Sequence, residues 1–337
     1  MAVLNTISYE DAVDLLNRKF DAWKIDPLNN AMKTSGLIRV NTVPAWTGAT
    51  RRHKEVPVWE LYASVKTEWG VTAKTMVQQG YSKDTYSRTF AKSIDITLEM
   101  RQLDKTRVYD SMNFLANVLP NREDLNLAMY ISYWTSTSYT DQDGQTVDIS
   151  TWDGLALFSS SHTLTGSSTT FRSILANNPA FSEWALELAE DALRTNTYTN
   201  LGEQVTCTAD TIVTTDYPVL VNTVRRLIQS TAQISSPNEW VVNVYKWRYK
   251  HVILPAIDKD ANGAKDSTKK AYWLLADSKI TSWFHDVYMA PEMRYPSKWN
   301  NGEDIDTLDW TFTVCSMHDN CIVSPRWMMF SKWTWEA

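Results

Sequence analysis

Apolar residues recur along the chain with two periods, and each change of period marks a new element. Val13, Leu16, Phe20 and Trp23 fall on one helical face, and Ser8 with Asp11 three residues on resembles a capping box, so a helix is expected over 9–24. From 25 to 55 the period dissolves among Pro27, Gly36, Pro44 and Gly48; so long an irregular segment reads as an arm reaching over a neighbour. Alternation then predicts a strand over 58–66, with Trp59, Leu61, Ala63 and Val65 on one side. It predicts another over 94–101, with Ile94, Ile96, Leu98 and Met100 on one side. Between them Gly70, Gly80 and the polar run 78–88 read as turns, which makes the whole an extended hairpin.

A helix-rich stretch follows over 106–137, divided by Pro120, which cannot continue an existing hydrogen-bond ladder. Asn121 is placed to cap a new start, with Leu125, Ala128, Met129 and Ser132 on one face. The stretch 152–196 holds a short apolar segment, a Ser/Thr-rich loop and the best-formed helix. Ser182 stands at its N-cap, Phe181 can staple onto Leu186, and Ala185, Leu188, Ala189, Ala192 and Leu193 form one stripe. Val205, Cys207 and Ala209, continued by Ile212 and Val213, read as a strand. Pro218 opens a helix with Leu220, Val224, Leu227 and Ile228 on one face, ending near 235–237. Strands are expected at 240–244, 252–254 and 272–275, with a polar loop over 258–270. Leu308, Trp310, Phe312 and Val314 alternate as a last strand before an aromatic tail, 327–335.

Composition changes this picture in three respects. With 337 residues and 43% apolar content the chain can bury a sizeable core, and a net charge of -6 leaves no global basic footprint for wrapping nucleic acid. Three cysteines without secreted-scaffold spacing, no signal-peptide pattern at the start and no apolar run of membrane length lead us to expect a cytoplasmic, non-membrane protein. Sixteen Trp and fifteen Tyr against ten Gly favour extensive subunit contact, because these side chains bury large areas with one polar handle. There is no internal repeat and no heptad run.

Candidate chemistry is sparse. Asp258, Asp260, Asn262, Gly263 and Asp266 follow a calcium-loop pattern, but Lys269 stands where the chelating Glu is needed, so a surface turn is expected. Cys315, His318 and Cys321 give three possible zinc ligands, with Cys207 a conceivable fourth; the spacing and an expected turn over 316–320 favour plain thiols. His162, near Ser159, Ser160 and Ser161, lacks a nucleophile elbow and an evident orienting acid, and is read as tying down its own loop. Arg51, Arg52, His53 and Lys54 read as a solvated loop, with contact to an acidic neighbour or DNA as the alternative. No catalytic, cofactor-binding or metal residue is assigned, and an enzyme is not expected.

Asp153-Gly154, Leu157-Phe158 and His162-Thr163-Leu164, followed by a helix that opens on Ser182 and carries Ala185-Leu186-Glu187, resemble the central segment of phage Mu-type major head proteins. The resemblance implies the α+β tailed-phage capsid fold, the Hong Kong ninety-seven type. Its parts would be an N-terminal arm (1–55), an E-loop hairpin (56–103), a peripheral domain with a spine helix (104–199), an axial domain (200–295) and a return to the peripheral domain (296–337). The implied function is a major capsid subunit that forms pentamers and hexamers and closes an icosahedral head around double-stranded DNA. A separate scaffolding protein, a portal and a decoration protein would be partners; assembly would occur in the host cytoplasm and the product would be the virion. An encapsulin-like compartment, and a Trp/Tyr-rich carbohydrate-binding or tail adhesin protein, are the alternatives.

Overall fold

The structure, a computed structural model, describes residues 8–25, 36–44, 50–54, 80–230, 243–294 and 309–332. The capping box of the first helix closes in both directions: the Asp11 N–H donates to Ser8 Oγ at 3.1 Å and the Ser8 N–H to Asp11 Oδ2 at 3.4 Å. It opens α1 (Tyr9–Ile25); the side chains of Leu16, Phe20 and Trp23 lie outside the described residues. Strands β1 (Ile38–Thr42), β2 (Thr50–Lys54), β3 (Ser82–Tyr86) and β4 (Arg88–Ile96) follow. The strand expected over 58–66 lies outside the described residues. The polar run 78–88, expected as turns, is largely strand, because β3 pairs antiparallel with β2 in a two-stranded ribbon with polar residues on both faces. The strand expected to reach Met100 stops at Ile96: Thr97 Oγ1 accepts the Met100 N–H at 3.4 Å and starts α2 (Leu98–Leu103).

Asp104 then caps α3 (Lys105–Ser132), accepting the Arg107 N–H at 3.0 Å. Pro120 does not divide it. A proline inside a helix costs about 3 kcal/mol, but Val108, Met112, Leu115, Ala116 and Leu119 are buried before it and Leu125 and 127–131 after it. Burial on both sides outweighs the lost hydrogen bond, and Asn121 caps nothing. At 1.5 Å per residue the helix spans about 42 Å, long enough to serve two cores.

Two small hairpins come next, β5 (Ser138–Thr140) with β6 (Thr146–Asp148), and β7 (His162–Thr163) with β8 (Thr170–Phe171). Helix α4 (Glu183–Thr195) starts where expected, with Ser182 Oγ accepting the Ala185 N–H at 3.1 Å. Beyond it lie β9 (Thr211–Thr214), α5 (Pro218–Gln229), β10 (Lys250–Ile253), β11 (Trp273–Ala276), β12 (Trp283–Arg294), β13 (Trp310–Ile322) and β14 (Met328–Ser331). The strand expected from Val205 begins only at Thr211. Val244 lies in a turn and not a strand, and α5 ends at Gln229; 231–242, Leu308, Trp333 and Trp335 lie outside the described residues.

The strands form two four-stranded sheets, β1-β12-β13-β4 and β10-β9-β11-β14. In the second, Ile212, Trp273, Leu275 and Met329 face α4 and α5, while Val213, Leu274, Ala276, Met328 and Phe330 face the C-terminal half of α3. In the first, Trp310, Phe312, Val314 and Ile96 meet Val108, Met112, Leu115 and Leu119 from the N-terminal half of α3, with Ala12 of α1. Helix α3 is therefore the shared spine of an α+β fold, as expected.

Candidate functional site

Strand period decides what can meet in the first sheet. Phe284, Asp286 and Tyr288 point from β12 toward the β2–β3 ribbon, and Trp283 and His285 point toward α3. On β13, Asp319 and Cys321 share the ribbon side, while His318, Asn320 and Ile322 share the helix side. The turn expected over 316–320 is thus the middle of a strand covered on both faces, and its polar residues are paired instead of solvated.

The ribbon alternates in the same way. Arg52 and Asp84 are cross-strand partners on its outer face, where two hydrogen bonds of 2.8 and 2.9 Å join them. Arg51, His53 and Thr85 are on its inner face and converge on Asp286, whose side chain is wholly buried. Asp286 accepts from Thr85 Oγ1 at 2.6 Å, Asn41 Nδ2 at 3.1 Å and Arg51 Nη1 at 3.5 Å, and from His53 Nε2. Burial pushes the Asp286 carboxyl up, but the hydrogen bonds from His53 and Thr85 outweigh it and hold the group below the usual carboxylate range. The basic run 51–54 is therefore a strand clamped to an internal acid and not a solvated loop.

Directly opposite Asp286 in the register stands Asp319, which accepts the Tyr86 N–H at 2.9 Å and faces Arg88 Nε at 3.3 Å. Burial raises its pKa above the usual value, and the Arg88 charge offsets only part of that. Two carboxylates on neighbouring strands thus fasten both ends of the β3–β4 junction.

On the helix side, Glu123, Asn126 and Tyr130 succeed one another at helical spacing along α3 and form a polar seam with the sheet. Glu123 Oε1 lies 2.5 Å from His285 Nε2, Asn126 Nδ2 3.3 Å from His318 Nε2, and Tyr130 donates to the Asn320 carbonyl. His285 Nδ1 reaches Asn320 Oδ1 at 2.6 Å. Of these residues only His318 was singled out in the sequence, and then as a possible zinc ligand and not as part of this seam. The signal that could have found them is the pair of His-Asp dipeptides, His285-Asp286 and His318-Asp319, set inside otherwise apolar strands.

His162 holds its own loop, as expected, but an orienting acid is present. Its Nδ1–H donates to Asp153 Oδ2 at 2.9 Å, and Nε2 lies 3.0 Å from Ser173 Oγ and 3.2 Å from the Leu157 carbonyl. Burial would raise the Asp153 carboxyl, yet hydrogen bonds from His162 and Thr151 bring it down to about 2. The order acid, imidazole, hydroxyl is that of a hydrolase triad. However, His162 and Ser173 are fully buried, Ser173 Oγ donates to the Leu157 carbonyl at 3.0 Å, and the ring is stacked against Trp152 and Phe171. No substrate can reach it, and the cluster pins the β7–β8 hairpin to the Asp153–Leu157 turn. Ser159, Ser160 and Ser161 take no part in it as nucleophiles.

The acidic loop 258–266 is a turn closed largely by its own hydrogen bonds. Asp260 Oδ1 accepts the N–H groups of Asn262 and Ala264 at 2.9 and 2.8 Å, Gly263 takes φ +83°, and Asp266 Oδ1 accepts the Thr268 N–H at 3.0 Å. Lys265 places its ammonium 3.4 Å from Asp258 and 3.1 Å from Asp216. Lys269 bridges the loop to the C-terminus of α3: its Nζ lies 3.6 Å from Asp266 Oδ2, donates to Ser132 Oγ at 3.0 Å and lies 4.4 Å from the Tyr133 ring centroid. Cys315 and Cys321 stand six residues apart on one face of β13, with His318 on the other, so the three cannot share an ion; Cys207 lies against Asp277, 3.5 Å away. Among the described residues no three His, Cys, Asp or Glu side chains gather as a metal site.

No protein family and no curated protein matches the chain. Among solved structures it is similar to Gordonia phage Cozz, at TM-score 0.52 and 11% identity over 90% of this chain and 86% of that one. It is similar to the capsid of an empty GTA particle, at TM-score 0.50 and 10% identity over 91% and 90%. The capsid of a native GTA particle gives TM-score 0.50 and 10% identity over 91% of both chains. The fold expected from the sequence is present: the chain has the tailed-phage capsid fold.

Proposed function

We propose that this chain is a capsid subunit, many copies of which form rings of five and six and close an icosahedral shell around double-stranded DNA. The observation that carries the reading is a fold shared along about nine tenths of both chains with the capsid of a GTA particle. In this reading 1–55 is the N-terminal arm, 56–103 the E-loop hairpin, 104–199 the peripheral domain with α3 as spine, 200–295 the axial domain and 296–337 the return. The Asp286 clamp supports it, because an arm that pulls on neighbours needs a root fixed to its own subunit. A separate scaffolding protein, a portal and a decoration protein are the partners. A chain with net charge -6 meets DNA as a wall, through non-specific contacts. Assembly takes place in the host cytoplasm, and the final location is the virion. Rate-zonal sedimentation and negative-stain microscopy of the untagged protein, alone and with a co-expressed scaffold, test this. Rings, tubes or shells are expected; a lone 38.6 kDa species under every condition would overturn it.

A further inference from the structure

Hairpin β5–β6 is too small to hold itself in place. Its strands are three residues each, and a two-stranded ribbon of that length has little stability alone. Ser138, Thr140, Thr146 and Asp148 on its outer face are exposed, so its position is set from the inner side. There Tyr139 is buried and stacks on Tyr133 at 5.3 Å, and two charged bridges lead from the hairpin toward the β2–β3 ribbon. The first starts on the ribbon itself. Lys83 shares the inner face with His53, its register partner; its Nζ donates to the Ser150 carbonyl and lies 3.7 Å from Asp148 Oδ1.

The second bridge runs through the first sheet. Asp286 and Asp319 stand directly opposite each other on β12 and β13, and like charges so placed are unfavourable unless each has its own cation. His53 and Arg51 serve Asp286, and Arg88 serves Asp319, with Nε 3.3 Å from its Oδ1. The same guanidinium lies 3.8 Å from Asp141 Oδ2, just after β5, and Asp141 Oδ1 accepts from Arg122 of α3. Arg88 and Arg122 both lie against the Phe90 ring, 5.4 and 5.5 Å from its centroid, and Asp141 is the acid they share. All four side chains are mostly buried, so water screens them little. With Asp141 withdrawn, the two cations meet on one ring with no acid between them. Arg88 is then driven off Asp319, which is left opposing Asp286 without its cation, and the ribbon loses its footing.

We propose that hairpin β5–β6 is the catch of the β2–β3 ribbon: while Asp141 and Ser150 hold Arg88 and Lys83 the ribbon is locked to its own sheet, and a contact that lifts the hairpin frees it. The coupling belongs to the single subunit, so it stands or falls apart from the shell reading. Hydrogen exchange of the full-length chain tests it in two variants, Asp141→Asn and Lys83→Met. Coupling is reciprocal, so each is expected to raise exchange about threefold or more both in the ribbon, 50–54 and 82–86, and in the hairpin, 138–140 and 146–148. Helix α5, far from both bridges, should exchange as in the parent, and Thr140→Ala on the outer face of the hairpin should change neither segment. An Asp141→Asn chain that loosens the hairpin alone, with a Lys83→Met chain that loosens the ribbon alone, would overturn the catch. So would an equal rise in 218–229, which marks general loss of stability. Should Asp141→Asn fail to fold, Lys83→Met decides on the same two segments.

Discussion

The two four-stranded sheets of this protein are held by different physics, although each is covered on both faces. The second sheet is closed by Ile212, Leu275 and Met329 on one side and by Val213, Leu274 and Phe330 on the other, so its order comes from apolar burial and side-chain fit. The middle of the first sheet carries Asp286 and Asp319 on one face and His285, His318 and Asn320 on the other, all buried and all partnered. Apolar burial tolerates only one shape, and acid reaches the second sheet only through a titratable group at its edge, His251 on β10. A paired carboxylate specifies its partner and gives way when it is protonated. The first arrangement suits a lobe that stays intact, the second the root of an arm.

The largest expected effect lies in the apolar lobe. Phe330 stacks 4.3 Å from Phe158 and touches Trp134 and Tyr272, so Phe330→Ala should cost about 3–5 kcal/mol in urea unfolding. Asp286→Asn comes next, at about 3 kcal/mol, because it leaves His53 and Arg51 facing an uncharged group. Hydrogen exchange should then rise in 50–54 and 82–86 and stay unchanged in α4 and α5. Equal loosening of both regions would end the contrast between the sheets.

Acid titration sharpens the comparison. Burial, followed by Arg225, pushes His251 on β10 down to about 4 from 6.5. That site adds stability which is present above pH 6.5 and lost as pH falls through about 4. Asp286, held below 3.8, adds stability present above pH 3.8 and lost only at lower pH. The lobe should therefore weaken first on acidification, and His251→Gln should abolish that earlier limb while leaving the later one. The smallest effect is Ser182→Ala, which removes the α4 N-cap and should lower stability by about 1 kcal/mol.

Elements whose cause is local were legible in the sequence. The Ser8 box, the Ser182 cap, the Pro218 start and the stripes of α4 and α5 need only neighbours within a few positions. What was missed has distant causes. Pro120 stays helical because two cores grip α3 on either side of it, and the polar run 316–320 stays extended because α3 and the ribbon cover its two faces. The clamp joins residues more than 200 positions apart, so no spacing could reveal it. The acid beside His162 was within reach: Asp153 lies nine positions upstream, inside the very segment that carries the resemblance.

The most direct test of the shell account is a cryo-electron microscopy reconstruction of the particles made by the intact chain with its scaffold. The account predicts rings of five and six in a closed shell, Asp286 bound to His53 and Thr85 in every copy, and residues 56–79 lying over a neighbouring subunit. Particles whose subunits touch only through compact surfaces, with 56–79 folded back on their own chain, would contradict it.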